Sequence, residues 1–253
     1  MADGNVNSLV KMMAVLNCFT LVHAKLSAAE IAHRTRIPRP TVHRLVATMV
    51  NLGLLDQVRR RDHYTLGTTV LGLGVTMLAN LDLNHVARVH VEALKAATGE
   101  TVHLAVFDGT NSIVVNSGNS QAVEALQTYV LKTTPANACS TGKAALAFQP
   151  AETIDRFLAS GLRKVAPKTI SDPRLLREEL ALCHKRGYAI DDEESEPGVR
   201  CVGVPIRNAS GRVFAALSVS GRKSEMDDAR IRSLTDLVLH YAEAISIDLG
   251  YEV

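Results

Sequence analysis

No apolar stretch in this chain of 253 residues approaches the length needed to cross a bilayer, so no membrane-spanning helix and no membrane partner are expected. The opening Met1-Ala-Asp-Gly-Asn5 is too polar for a secretory leader. The four cysteines, Cys18, Cys139, Cys183 and Cys201, stand far apart without the paired spacing of a zinc site, and the nine histidines show no metal-ligand pattern. Reduced thiols and a cytoplasmic location are the expectation, with no metal and no cofactor. There is no Trp, and aromatic residues make up 4%; a hydrophobic content of 47% instead comes mostly from Ala, Val and Leu. Internal repeats and low-complexity tracts are missing too.

Signatures of catalysis are equally scarce. Ser140-Thr-Gly-Lys143 lacks the Gly-x-x-x-x-Gly-Lys-Ser/Thr spacing of a phosphate-binding loop and follows no clear parallel strand. Cys139, Ser140, His103 and Asp191 are residue types used in hydrolysis, yet nothing in their placement links a nucleophile to a base. No catalytic residue is assigned, and an enzyme is not expected.

Charge is present but unevenly spread. Residues 1–64 hold nine Lys/Arg and four Asp/Glu, a net of +5, whereas the remainder holds 19 and 22, a net of −3. The basic end is therefore the part suited to nucleic acid. Within it, Ser27 followed by Glu30 forms a capping-box pattern that starts one short helix, with Ile31 and Ala32 on its buried side. Ile37 closes a turn, and Pro38 and Pro40 are tolerated only where a second helix begins. Val42, Leu45, Val46 and Met49 then recur at helical spacing. Arg39, Pro40, Thr41, His43 and Arg44 are left near the helix start or on its open side. That is the layout of a helix-turn-helix whose second helix reads base edges in the major groove of double-stranded DNA. Gly53 stops this helix. A two-strand ribbon follows, with Arg59, Arg60 and Arg61 at its tip as a phosphate-gripping wing.

The spacing also predicts a first helix capped by Asn7 or Ser8, with a buried stripe of Leu9, Val10, Met13, Leu16 and Phe19. Three segments are expected: a winged helix-turn-helix over 1–67, a connector helix over 68–80, and a larger domain over 81–253. Gly72 and Gly74 permit close helix approach in the connector, which is read as part of a dimer contact, with a purely buried helix as the alternative. The larger domain alternates helices and strands in an α+β order, with helices on a central antiparallel sheet. Its strands are expected over Thr101–Phe107, Ser112–Asn116, Tyr188–Asp191, Cys201–Arg207 and Arg212–Ser220. A long final helix runs from Met226 to about Leu249.

Polar groups gather where these elements meet. Backbone N–H groups of Ala138–Lys143 precede a helix, Ser218 and Ser220 share a strand face, Cys201 starts the neighbouring strand, and Asp191-Asp-Glu-Glu194 precedes a turn. Together they are candidates to ring a small, partly polar cavity. Taken singly, a buried serine more often bonds backbone, and an acidic run is more often a solvated loop.

Over nearly its full length the chain resembles the IclR family of bacterial transcriptional regulators. The resemblance rests on the early winged helix, Tyr64-Thr-Leu-Gly67, and Ser140-Thr-Gly-Lys-Ala144. It rests further on Gly187-Tyr-Ala-Ile-Asp-Asp-Glu-Glu194, Gly198-Val-Arg-Cys-Val-Gly-Val-Pro-Ile206 and Phe214-Ala-Ala-Leu-Ser-Val-Ser-Gly221. It implies a winged helix joined to a GAF-like effector-binding domain, and a homodimer that pairs into a tetramer. It also implies repression of a DNA operator under the control of a small-molecule effector, a carboxylate or carbonyl compound. The effector-contacting positions it implies are Ser140, Thr141, Asp191, Cys201, Ser218 and Ser220, with Leu131 and Val199 as walls. This chain departs from the family pattern in placing Cys139 and Cys201 near that cavity, where two inert buried thiols are the expectation and a reversible adduct with an electrophilic effector such as an aldehyde is the alternative.

Overall fold

The computed structural model describes residues 6–20, 22–58, 62–79, 82–118 and 132–252, and the chain divides into two units, 1–80 and 81–253. The first helix, α1 (Asn7–Leu16), departs from expectation on two counts. Its cap is Val6, whose side chain offers no bond, rather than Asn7 or Ser8. Only part of its expected stripe is inside: Phe19 is buried and Leu16 packs on the core, whereas Leu9, Val10 and Met13 are about half exposed and Val15 is fully buried instead. The reason is that Val15, with Met12 and Leu16 beside it, supplies the side seated in the unit's core.

Strand β1 (Leu26–Ser27) leads into α2 (Ala28–Thr35). The capping box is closed in both directions. The Glu30 N–H donates to the Ser27 hydroxyl at 3.2 Å, and the Ser27 N–H donates to the Glu30 carboxylate at 2.8 Å. Arg36 ends α2 in the left-handed conformation at φ 57°, and the Ile37 N–H donates to the Thr35 hydroxyl at 3.3 Å within the turn. Helix α3 (Arg39–Asn51) follows with Pro40 in its first turn, where no intrahelical donor is lost. Val42, Val46 and Met49 are buried along one face, with Leu45 packed beside them. Each contributes roughly 1.5–3 kcal/mol by leaving water.

Strands β2 (Leu55–Val58) and β3 (His63–Leu66) form the expected antiparallel ribbon, and β1 adds a third strand against β3. Arg59, Arg60 and Arg61 lie outside the described residues. Helix α4 (Thr68–Ala79) is fastened to the end of α3. The Gly67 N–H donates to the Leu54 carbonyl at 2.9 Å, and the Thr69 hydroxyl donates to the Leu52 carbonyl at 3.2 Å. A Cβ on Gly67 would stand only 2.2 Å from the Gly53 carbonyl oxygen, so this approach requires glycine.

In the second unit, α5 (Asp82–Thr98) precedes β4 (Thr101–Phe107), β5 (Asn111–Gly118) and β6 (Thr133–Pro135). A 3-10 turn leads to α6 (Ser140–Leu146), α7 (Ala151–Ala159) and α8 (Pro173–Arg186). Then come β7 (Ala189–Asp192), β8 (Val199–Arg207), β9 (Val213–Arg222) and the long α9 (Asp228–Asp248). The six strands lie in the order β6-β5-β4-β9-β8-β7, and every pairing is antiparallel. Alternation along the strands decides what each face does. Val102 and Leu104 of β4, Leu217 and Val219 of β9, and Val202, Val204 and Ile206 of β8 share one face, and all are buried. Helices α5 and α9 pack there. The opposite face carries Thr101, His103, Ser218, Ser220 and Cys201. Helix α6 covers one end of it and leaves the other open.

Candidate functional site

Two places draw together polar side chains that the folding core does not need. The first is the start of α3. Burying Val42, Val46 and Met49 turns Arg39, Pro40, His43 and Arg44 outward, all exposed, with Thr41 half-buried between them. Two guanidiniums, an imidazole and a hydroxyl thus project from one helical turn and a half. Such a set matches the donors and acceptors of base edges and phosphates.

The second is a cavity of about 550 Å³ on the open end of the large sheet. Strand register builds its floor. Ser220 lies between Thr101 and Cys201, and Ser218 lies between His103 and Gly203. Cys201 in turn faces Asp191 on β7. A side chain at Gly203 would obstruct α6: a Cβ there would come within 2.7 Å of the Ser140 backbone, so its absence lets the start of the helix settle on the sheet. Ser140, Thr141, Asp191, Val199, Cys201, Ser218 and Ser220 all border this one cavity; Leu131 lies outside the described residues. His103, Ser112, Lys132, Thr134 and Cys139 join them in the wall. The Thr141 hydroxyl is 2.7 Å from that of Ser112 and 3.6 Å from the Cys139 sulfur, which fixes the rim of α6 to β5.

Electrostatics follow from burial. His103 Nδ1 lies 3.3 Å from the Ser220 hydroxyl, and burial, helped by the Lys132 charge, pulls the imidazole pKa down to about 4. It is therefore neutral at physiological pH. Burial also pushes the Cys139 and Cys201 thiols up, and the Asp191 charge adds to both shifts. Neutral thiols are poor nucleophiles, which favours the inert reading of the two cysteines over the adduct.

The acidic run is not a solvated loop. Each of its four carboxylates has its own partners. Asp191 accepts from the Glu194 N–H at 2.7 Å and from the Ser195 hydroxyl at 2.6 Å. Asp192 pairs with Lys223 and lies 3.8 Å from Arg200. Glu193 pairs with Lys168 and accepts from the Gly198 N–H at 3.0 Å. Glu194 holds the ammonium of Lys143 at 2.6 and 2.8 Å. Lys143, 1% exposed, also lies 3.7 Å from Glu179, so the lysine of the Ser-Thr-Gly-Lys run points into an internal ion cluster. Its ammonium serves to bind α6 and α8 to the β7–β8 turn, whose Ser195 and Glu196 line the cavity.

Residues 8–59 match the IclR helix-turn-helix domain, and residues 75–247 match the bacterial transcriptional regulator IclR C-terminal domain. The chain belongs to the IclR family. As an IclR-family protein it is a DNA-binding transcriptional regulator, with an N-terminal helix-turn-helix and a C-terminal effector domain built on the six-stranded sheet. It is 30% identical to the acetate operon repressor of Salmonella typhimurium (strain LT2) over 250 residues, 98% of this chain and 91% of that protein. It is similar to the crystal structure of an IclR family transcriptional regulator from Brucella abortus, with a TM-score of 0.85 at 26% identity, covering 96% and 92% of the two chains. An IclR homologue from Microbacterium hydrocarbonoxydans, crystallised with 4-hydroxybenzoate, gives a TM-score of 0.68 at 27% identity over 96% and 98%. No helix among the described residues of this IclR-family chain is long and apolar enough to cross a membrane.

Proposed function

We propose that this IclR-family chain is a repressor that binds a palindromic operator as a homodimer, paired into a tetramer, and that a small metabolite in the cavity controls that binding. Arg39, Pro40, Thr41, His43 and Arg44 read the major groove, while Arg59, Arg60 and Arg61 grip phosphate. The observation that carries this reading is the outward set of side chains at the start of α3, held there by the buried stripe behind them.

The effector domain is GAF-like in this reading, and its cavity takes a small carboxylate or carbonyl compound. Ser140, Thr141, Asp191, Cys201, Ser218 and Ser220 contact it, with Leu131 and Val199 as walls. Support comes from the hydroxyl-lined floor, from Lys132 in the wall, and from the aromatic carboxylate held by the Microbacterium relative. An effector that binds the DNA-incompetent arrangement more tightly shifts the population and releases the operator.

Dimer formation is supported by exposed apolar side chains on two helices of the first unit. Val6, Leu9, Val10 and Met13 form a stripe along α1. On α4, Leu71, Leu73 and Val75 are more than half exposed, and a Cβ on Gly72 or Gly74 would meet nothing within 4 Å. That surface suits a second copy better than solvent. Selection of genomic fragments by the purified protein tests the whole reading. Enrichment of one palindromic sequence is the expected outcome, and retention of DNA without sequence preference would overturn it.

A further inference from the structure

Asp191 and Lys132 both line the cavity, on different walls, and among the described residues no ion pair joins the two. Asp191 is 1% exposed, and its charge reaches both Cys139 and Cys201. Its Oδ1 accepts from the Glu194 and Ser195 N–H groups, whereas among the described residues Oδ2 accepts only from the Ser195 hydroxyl. Among the described residues no lysine, arginine or histidine forms an ion pair with it, and the Lys143 ammonium whose charge reaches it is itself held by Glu194. Lys132 stands on another wall, beside β6. Its charge is felt at His103 and Cys201, and its ammonium lies 3.6 Å from Glu196. Hydroxyls and neutral thiols fill the space between.

The described lining has Glu100, Asp191, Glu196 and Glu225 on the acidic side, against Lys132 and Arg222 on the basic side. A plain monocarboxylate entering this space meets one favourable wall and an acid surplus elsewhere. A buried carboxylate gains most from a charged donor, because a charge-assisted hydrogen bond replaces solvation that burial has removed. We propose that the effector is a zwitterion of the α-amino-acid type, with its ammonium bound by Asp191 and its carboxylate held on the Lys132 side. This deepens the reading of the cavity as the effector site and rests on it. A volume of about 550 Å³ leaves room for a side chain beyond the two charged groups.

The test is calorimetric titration of the full-length protein with the twenty standard L-amino acids, followed by the 2-oxo and 2-hydroxy acid matching each one that binds. At least one amino acid binds, and its oxo and hydroxy counterparts, which keep the carboxylate and lose the ammonium, bind at least about tenfold more weakly. Asp191→Asn erases that preference, with circular dichroism checking its fold. Lys132→Met, at a half-buried wall position, weakens the amino acid and its oxo counterpart by the same factor. Oxo or hydroxy acids that bind as tightly as the amino acid would overturn the ammonium assignment while leaving the cavity as an effector site. Failure of every amino acid to bind would overturn it as well. Operator binding that no metabolite extract alters would instead remove the effector reading beneath it.

Discussion

His103 lies on the open face of the sheet beside Ser220, and its depressed pKa makes the fold itself sensitive to acid. The unfolded imidazole takes up a proton near pH 6.5 and the folded one only near pH 4, so stability is fully present above 6.5 and falls as pH drops through this window. The loss is on the order of 3 kcal/mol. His103→Gln should flatten the midpoint of urea unfolding between pH 6.5 and 4.5; an unchanged slope would place the sensitivity elsewhere. On the other unit, Arg44 is exposed on α3, the second helix of the helix-turn-helix, and a guanidinium can bond two acceptors of one guanine. Arg44→Ala should cost about 1–3 kcal/mol on the preferred operator and little on random duplex, measured by anisotropy titration. These single positions are legible in the sequence to different degrees. Arg44 can be placed by helical spacing alone, because its buried neighbours lie within a turn of it along the helix. His103 and Lys132 cannot be placed as cavity walls, because pairing across β4, β9 and β6 brings them there from distant parts of the chain.

Elements show the same division between local and distant causes. The helix-turn-helix is readable because every determinant is contiguous: the Ser27–Glu30 box, the prolines and the Val42–Met49 stripe. Most strands of the large sheet are readable from alternation, while β6, with three residues, and β1, with two, are too short to display a period. Helix α1 is legible only in part: Leu16 and Phe19 of its stripe reach the core while Leu9, Val10 and Met13 do not, since periodicity identifies an apolar face without saying what covers it. Helix α6 is the most instructive case. Nothing local says where its Lys143 points, because its partners Glu194 and Glu179 lie on the β7–β8 turn and on α8. Lys143→Met should destabilise the effector domain by about 3–5 kcal/mol by leaving Glu194 buried and unpaired. Adding Glu194→Gln should restore much of the loss, which thermal melts of the two variants would show. Equal stability of the single and double variants would mean that an unpaired Glu194 is not the source of the loss.

For the whole molecule, the exposed apolar stripes of α1 and α4 set an expectation about assembly. Leu71 and Val75 stand one turn apart on α4, so they share a face. Leu71→Glu with Val75→Glu should lower the mass seen by light scattering while leaving helix content intact. An unchanged mass would move the dimer contact away from this helix. The seam between α3 and α4 has a consequence of another kind. Because Gly67 rests against the Gly53 carbonyl and Thr69 is bonded to Leu52, the first residues of α4 are structurally part of the DNA-binding head. A chimaera that grafts a foreign sensor onto this head should therefore be spliced beyond Val70. A junction cut at Gly53 or Gly67 would sever the rivet and leave α3 with a loose heel.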